Sequence, residues 1–290
     1  MKILARRANS QGNQLLETGN YQAAEEKFIQ ATKQAPNWSS PWYNLGLVYK
    51  RQKNWQQSFE CNLKATQLDS RDEAAWWNLG IASTALMKWD TARHAWSNFG
   101  VKLPEGDGPL EMNLGPTPIR LNPDTSGEVV WCQRIDPARA IIRNVPFPSS
   151  EHRYGDLLLH DGEPNGYRQF QGREVAVFDE LEILEESPFM TFEVVLEAGN
   201  EQDRKDLLDM AARKSLSFED WSSVRMLCHL CSTGRPHADH EPQEQESGPL
   251  VRYGVAAQLE SELQELLDSW QRVRRGCLIL EVKLVYPDNS

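Results

Sequence analysis

Cysteine is scarce and unpaired in this chain: Cys61, Cys132, Cys228, Cys231 and Cys277 are an odd number spread over 290 positions. A disulfide framework is thereby excluded as the organising device, and thiols kept reduced in a cytoplasm are the expectation. Long apolar runs are missing too. No stretch approaches the ~18 consecutive apolar residues of a membrane-spanning helix. The start, Met1-Lys2-Ile3-Leu4-Ala5-Arg6-Arg7, turns polar again too soon for a secretory leader. Positive charge is the third shortage. Lys+Arg number 31 against 42 Asp+Glu, a net charge of -11, which argues against the basic footprint of a nucleic-acid binder. Catalytic signatures are also lacking: there is no Gly-x-Ser-x-Gly elbow, no Gly-x-x-x-x-Gly-Lys-Ser/Thr phosphate loop and no His-Glu-x-x-His pair. The expectation is a cytoplasmic, non-enzymatic protein with neither nucleic acid nor membrane as partner.

What the chain does contain is a period. Trp42-Tyr43-Asn44-Leu45-Gly46 returns as Trp76-Trp77-Asn78-Leu79-Gly80, displaced by 34 residues. The same frame laid backwards finds a worn copy with Gly12, Leu15, Tyr21, Ala24, Phe28, Ala31 and Pro36. The middle copy supplies Trp42, Leu45, Gly46, Tyr49, Trp55, Ala65 and Leu68, and the last Trp76, Leu79, Gly80, Trp89, Ala92, Trp96 and Pro104. A period of this length builds stacked helical hairpins, in which a small residue lets paired helices approach and aromatic residues fill the space between hairpins. At Ser58, Asn62 and Ser83 polar residues replace the expected small or aromatic ones, and each is expected to weaken local packing. About three repeats are the minimum for a stable stack, so capping by the chain after Pro104 is expected.

These residues resemble the tetratricopeptide repeat (TPR) family over roughly residues 5 to 104. The resemblance implies a groove lined by the first helix of each hairpin, and so a protein or peptide ligand. Carried over by position, the groove would hold Asn9, Asn13, Tyr43, Asn44, Leu47, Lys50, Trp77, Asn78 and Ile81. Family members that grip a C-terminal carboxylate use two Asn and several cations. Asn13 and Asn44 match the two Asn, whereas Asn9, Ala74 and Asn78 stand where cations would be needed. Apolar or aromatic anchors on the ligand, met by Tyr43 and Trp77, are therefore expected. An acidic partner would suit the local charge, because residues 1 to 104 hold 13 Lys/Arg against 8 Asp/Glu while the remainder holds 18 against 34.

After the loop Leu103-Pro-Glu-Gly-Asp-Gly-Pro109 the period changes. Glu128 to Ile135, Asp156 to Asp161 and Glu174 to Leu184 read as strands, with Asp161-Gly-Glu-Pro-Asn-Gly166 as turn chemistry. The acidic run Asp179-Glu180-Leu181-Glu182 reads as a solvated strand face, and His160-Asp161 as structural. Residues 105–187 are thus a linker and a mostly β unit. From 188 to 290 the order is strand (Met190 to Leu196), helix (Glu201 to Lys214), strand (Val224 to Leu230), polar loop 232–250, strand (Val251 to Ala256), helix (Leu259 to Val273) and strand (Cys277 to Tyr286). This βαββαβ order predicts a ferredoxin-like α+β unit. The fold class is therefore a three-hairpin TPR stack at 1–104 followed by these two units.

One cluster carries chemistry. Cys228 and Cys231 form a Cys-x-x-Cys knuckle with His237 and His240 a short loop later, four ligands that could enclose a tetrahedral zinc, with His229 as a spare. A zinc-dependent sensor or enzyme presented by the repeats is thus the alternative to a peptide-binding adaptor that needs no cofactor.

Overall fold

The computed structural model describes residues 2–125, 127–198, 200–222, 250–274 and 276–287. The chain divides into two compact units. One is Met1–Asn113 with Ile135–Ala138, and the other is Leu114–Arg134 with Arg139–Ser290.

The first unit holds three helical hairpins: α1 (Lys2–Glu17) with α2 (Tyr21–Gln34), α3 (Ser39–Arg51) with α4 (Trp55–Leu68), and α5 (Glu73–Ala85) with α6 (Trp89–Phe99). The 34-residue period is written into its geometry. Gly19, Lys53 and Met87 all adopt positive φ, at 74°, 56° and 54°. Each follows the first helix of a hairpin, where a left-handed residue lets the chain reverse and satisfies the last carbonyls. The next N–H in each case, from Asn20, Asn54 and Lys88, returns to Leu15, Tyr49 and Ser83. Asn20 and Asn54 then cap the second helix by accepting from Ala23 and Gln57 N–H, whereas Lys88 supplies no side-chain cap.

Glycine sets the approach of the paired helices. A Cβ at Gly12, Gly46 or Gly80 would meet Phe28, Asn62 or Trp96, in each case at 2.5 Å. The residue sixteen places on thus fills the volume that the glycine leaves open. Tryptophan ties successive hairpins: Trp42 Nε1–H donates to Pro36 O and Trp76 Nε1–H to Ser70 O, both at 3.0 Å. Tyr49 Oη–H and Gln52 Nε2–H both donate to the Glu25 carboxylate, joining the second hairpin to the first.

The polar substitutions of the middle hairpin, Ser58 and Asn62, are buried and hydrogen-bonded. Ser58 Oγ–H donates to Gly46 O at 2.9 Å, and Asn62 Nδ2–H donates to Ser58 O at 2.8 Å. Only the Ser58 bond joins the paired helices; that of Asn62 lies within α4, and its buried Oδ1 has no partner among the described residues. The buried hydroxyl of Ser83 has no hydrogen-bond partner among the described residues.

In the second unit five strands, β1 (Gly115–Leu121), β2 (Glu128–Arg134), β3 (Arg139–Ile142), β4 (Leu157–Phe170) and β5 (Arg173–Glu185), close a barrel in chain order. Successive strands are antiparallel, so with five of them the closing pair, β1 on β5, is parallel. The interior is apolar, built from Ile119, Leu121, Val130, Cys132, Ala140, Ile142 and Leu158. The stretch 161–166 corrects the sequence reading. It is not a turn but part of β4, which absorbs Gly162, Pro164 and Gly166 through register shifts around His160, Pro164 and Tyr167.

A four-stranded sheet follows, with strand order β7-β8-β6-β9: β6 (Met190–Glu197), β7 (Ser217–Asp220), β8 (Leu250–Ala257) and β9 (Leu278–Tyr286). Helices α7 (Glu201–Ala212) and α8 (Glu260–Val273) pack on one face. There Phe192, Val194 and Leu196 meet Leu207, Leu263, Leu266, Leu267 and Trp270. Leu259 stands outside this core, exposed at the helix start. The strand expected at Val224 to Leu230 lies outside the described residues, as does most of loop 232–250, and β7 comes earlier. On the other face Trp221 lies over Gly254, where a Cβ would come within 2.1 Å of the indole. Its Nε1–H donates to Val145 O, and its ring stacks on Phe147 at 5.0 Å. The segment joining β3 to β4 is thereby fastened to the sheet.

Candidate functional site

The nine groove residues lie on α1, α3 and α5, as helical spacing requires, but they are not equally accessible. Asn9, Lys50, Asn78 and Ile81 are buried, Tyr43, Asn44, Leu47 and Trp77 are half-buried, and Asn13 is exposed. Only the last five present surface, and the other four are enclosed in this structure. Asparagine organises this face. Asn44 Nδ2 donates to Asn9 Oδ1 and to Asn13 Oδ1, both at 3.0 Å, spanning two hairpins. One amide nitrogen has two hydrogens, and both are used. The carbonyl of Asn44 and the NH2 of Asn13 have no other partner among the described residues.

Trp77 is held by its own hairpin. Its ring meets Trp96 at 4.9 Å and Phe99 at 4.6 Å, both edge-on. Phe99 was missed by sequence reasoning, although its position three residues after Trp96 puts it on the same side of α6. Asn9 and Asn78, at two of the positions where a carboxylate-gripping groove would need cations, are buried amides. Arg93, also unremarked in the sequence, holds the chain after α6: its Nε donates to Gly108 O and its Nη1 to Pro104 O, both at 2.8 Å.

The second unit carries a polar cluster that the sequence placed wrongly. Glu180 is not on a solvated face. It is buried, with Oε1 3.0 Å from His152 Nε2 and Oε2 accepting the Asn122 N–H at 3.0 Å. Asn122 donates onward to Ser150 O, whose carbonyl also contacts His152 Nδ1. Asp179 likewise pairs with the buried Arg120 at 2.7 Å. Burial opposes charging His152, but the adjoining Glu180 carboxylate outweighs it and raises the imidazole pKa. Glu128 accepts the Phe147 N–H, and burial pushes its carboxyl up to about 7. Glu219, also raised by burial, accepts from Asn144 at 2.7 Å. These groups fix the segment between β3 and β4, and their arrangement is that of a buried structural network. His160 is fully buried, with its pKa lowered to about 3 by burial and by Arg134, so it stays neutral.

Cys228, His229, Cys231, His237 and His240 lie outside the described residues. Among the described residues no group of three or more His, Cys, Asp or Glu could hold a metal ion. Cys61, Cys132 and Cys277 are buried free thiols.

No family model and no curated protein matches the chain. The similar solved structures are TPR domains, and they cover its first third. The second TPR of Spaghetti (RPAP3), bound to the HSP90 peptide SRMEEVD, is 20% identical with a TM-score of 0.33, over 34% of this chain and 91% of that one. The TPR2B domain of yeast Sti1, in a pHsp70 complex, is 15% identical with a TM-score of 0.32, over 33% of this chain and 78% of that one. The Sgt2 TPR domain from Aspergillus fumigatus is 23% identical with a TM-score of 0.31, over 33% of this chain and 63% of that one.

Proposed function

We propose that the first unit is a non-enzymatic adaptor module that binds a segment of another protein along α1, α3 and α5. The observation that carries this reading is the amide bridge from Asn44 to Asn9 and Asn13. It fixes two hairpins in register and leaves an amide donor and a carbonyl acceptor beside the half-buried Tyr43 and Leu47. Such a row suits peptide backbone and apolar side chains. Buried neutral amides at Asn9 and Asn78 argue against a terminal carboxylate as the group recognised, because a desolvated carboxylate requires paired cations. The finer reading of the second half of the chain is a split βαβ arrangement, supported by the strand order β7-β8-β6-β9.

The test compares full-length wild type with Tyr43→Ala and Asn44→Ala chains as bait. Proteins held by the wild type and released by both variants, at unchanged circular dichroism, support the groove; identical capture sinks it. Titration with the peptide SRMEEVD is expected to give no saturable binding, and a micromolar dissociation constant would refute the neutral-groove reading.

A further inference from the structure

Strand β9 ends the order β7-β8-β6-β9, and among the described residues no strand pairs with its outer edge. Such edges are usually protected by scattered lysine, proline or bulges, because an open row of backbone donors and acceptors recruits another strand. Here the edge has no proline from Leu278 to Tyr286 and a single lysine, Lys283, and a register shift against β6 leaves Leu280 unmatched there, among exposed apolar and charged residues. Leu280 is 52% exposed and Leu284 44% exposed. Between them lie Glu281 and Lys283, both exposed, and neither makes an ion pair or side-chain hydrogen bond among the described residues. The register onto β6 sets Val282 opposite Val194 in the helix-covered core, with Glu281 and Lys283 on the opposite face, against Val195 and Glu193. Glu193 already pairs with Arg252.

The order of these residues is self-complementary. When two β9 strands run antiparallel about Val282, each Glu281 stands opposite Lys283 of the other copy, on one face. On the other face Leu280 stands opposite Leu284. Both pairings are repeated by the two-fold axis, which is the property an isologous interface requires. Directly opposed unlike charges stabilise an antiparallel pair and like charges destabilise it. We propose that β9 is a homodimerisation edge, joining the sheets of two copies of this chain through residues 280–284.

Charge exchange tests this with the full chain, by sedimentation over a wide range of concentration. Wild type is expected to approach twice the monomer mass as concentration rises. Glu281→Lys puts Lys opposite Lys twice, Lys283→Glu puts Glu opposite Glu twice, and each variant is expected to remain monomeric. Mixed in equal amounts, the two variants complement each other at both contacts and should regain the dimer mass, which a misfolded variant could not do. The double variant E281K/K283E should dimerise by itself. A monomeric wild type, single variants that still dimerise, or a mixture that stays monomeric would each overturn the proposal.

Discussion

Met87 shows how a repeat position constrains a single residue. It shares its left-handed backbone with Gly19 and Lys53, yet its side chain is 72% exposed and takes no part in the core. A non-glycine residue in this region costs roughly 1–2 kcal/mol, against about 0.5–1 kcal/mol of extra chain entropy lost by glycine. Met87→Gly should therefore raise the stability of the first unit by about 0.5–1 kcal/mol, read as a higher urea midpoint. A lower midpoint would mean that Met87 makes contacts the geometry does not reveal. The equivalence of these three positions was not legible in the sequence, because Gly, Lys and Met share no chemistry. Only the backbone reveals that they are one site.

At the scale of the element, legibility followed the strength of the pattern. The hairpins were readable because Trp42 and Trp76, with Gly46 and Gly80, repeat in type and spacing. At Ser58 and Asn62 of the middle hairpin, composition records the missing aromatic but not the bond from Ser58 to Gly46 O that joins the paired helices. In the second unit, β1 was missed because Pro116 and Pro118 argue against a strand. They are tolerated where β1 pairs with β2 alone, since β5 joins it only at Ile119 and Arg120. Short, polar β7 has no apolar alternation to detect. Glu180 was misplaced because its partner His152 is distant in sequence. The residues proposed for a groove fall on α1, α3 and α5 as their positions implied, but their accessibility was not legible, since burial depends on neighbours that a periodic pattern does not name. One element invites a direct test. Gly80→Ala adds a methyl group 2.5 Å from the ring of Trp96, which is itself fully buried and braced by Trp77. Overpacking of this kind costs about 1–3 kcal/mol, more than the ~1 kcal/mol gained in helix propensity. A net loss is expected on thermal unfolding, and it should shrink in a Trp96→Leu background; a stabilised Gly80→Ala protein would contradict the wedge.

For the molecule as a whole, the buried network makes stability depend on pH. Glu128 titrates near 4.5 when unfolded and near 7 when folded, so between these values the folded chain holds the extra proton. Its contribution therefore falls as pH rises from about 4.5 and levels off above about 7. His152, raised in the fold, adds stability that is complete below 6.5 and is lost as pH climbs through its folded value. His160 acts in the opposite sense, gaining between about 3 and 6.5, but equally in any Glu128 variant. Glu128→Gln should thus become progressively more stable relative to wild type across this window, by on the order of 2–3 kcal/mol. Urea melts at pH 5 and pH 8 would measure it, and a pH-independent difference would show that Glu128 is ionised normally in the fold.

The odd number of strands in the barrel has a mechanical consequence. Because β1 and β5 lie side by side and parallel, the chain enters the barrel at one end and leaves it at the other. A pull on the two ends would drag these neighbouring strands past each other lengthwise, loading the Arg120–Asp179 contact and the surrounding backbone bonds together instead of one after another. Under tension the barrel is built to resist by shear, where a hairpin pulled from its open end would simply unzip.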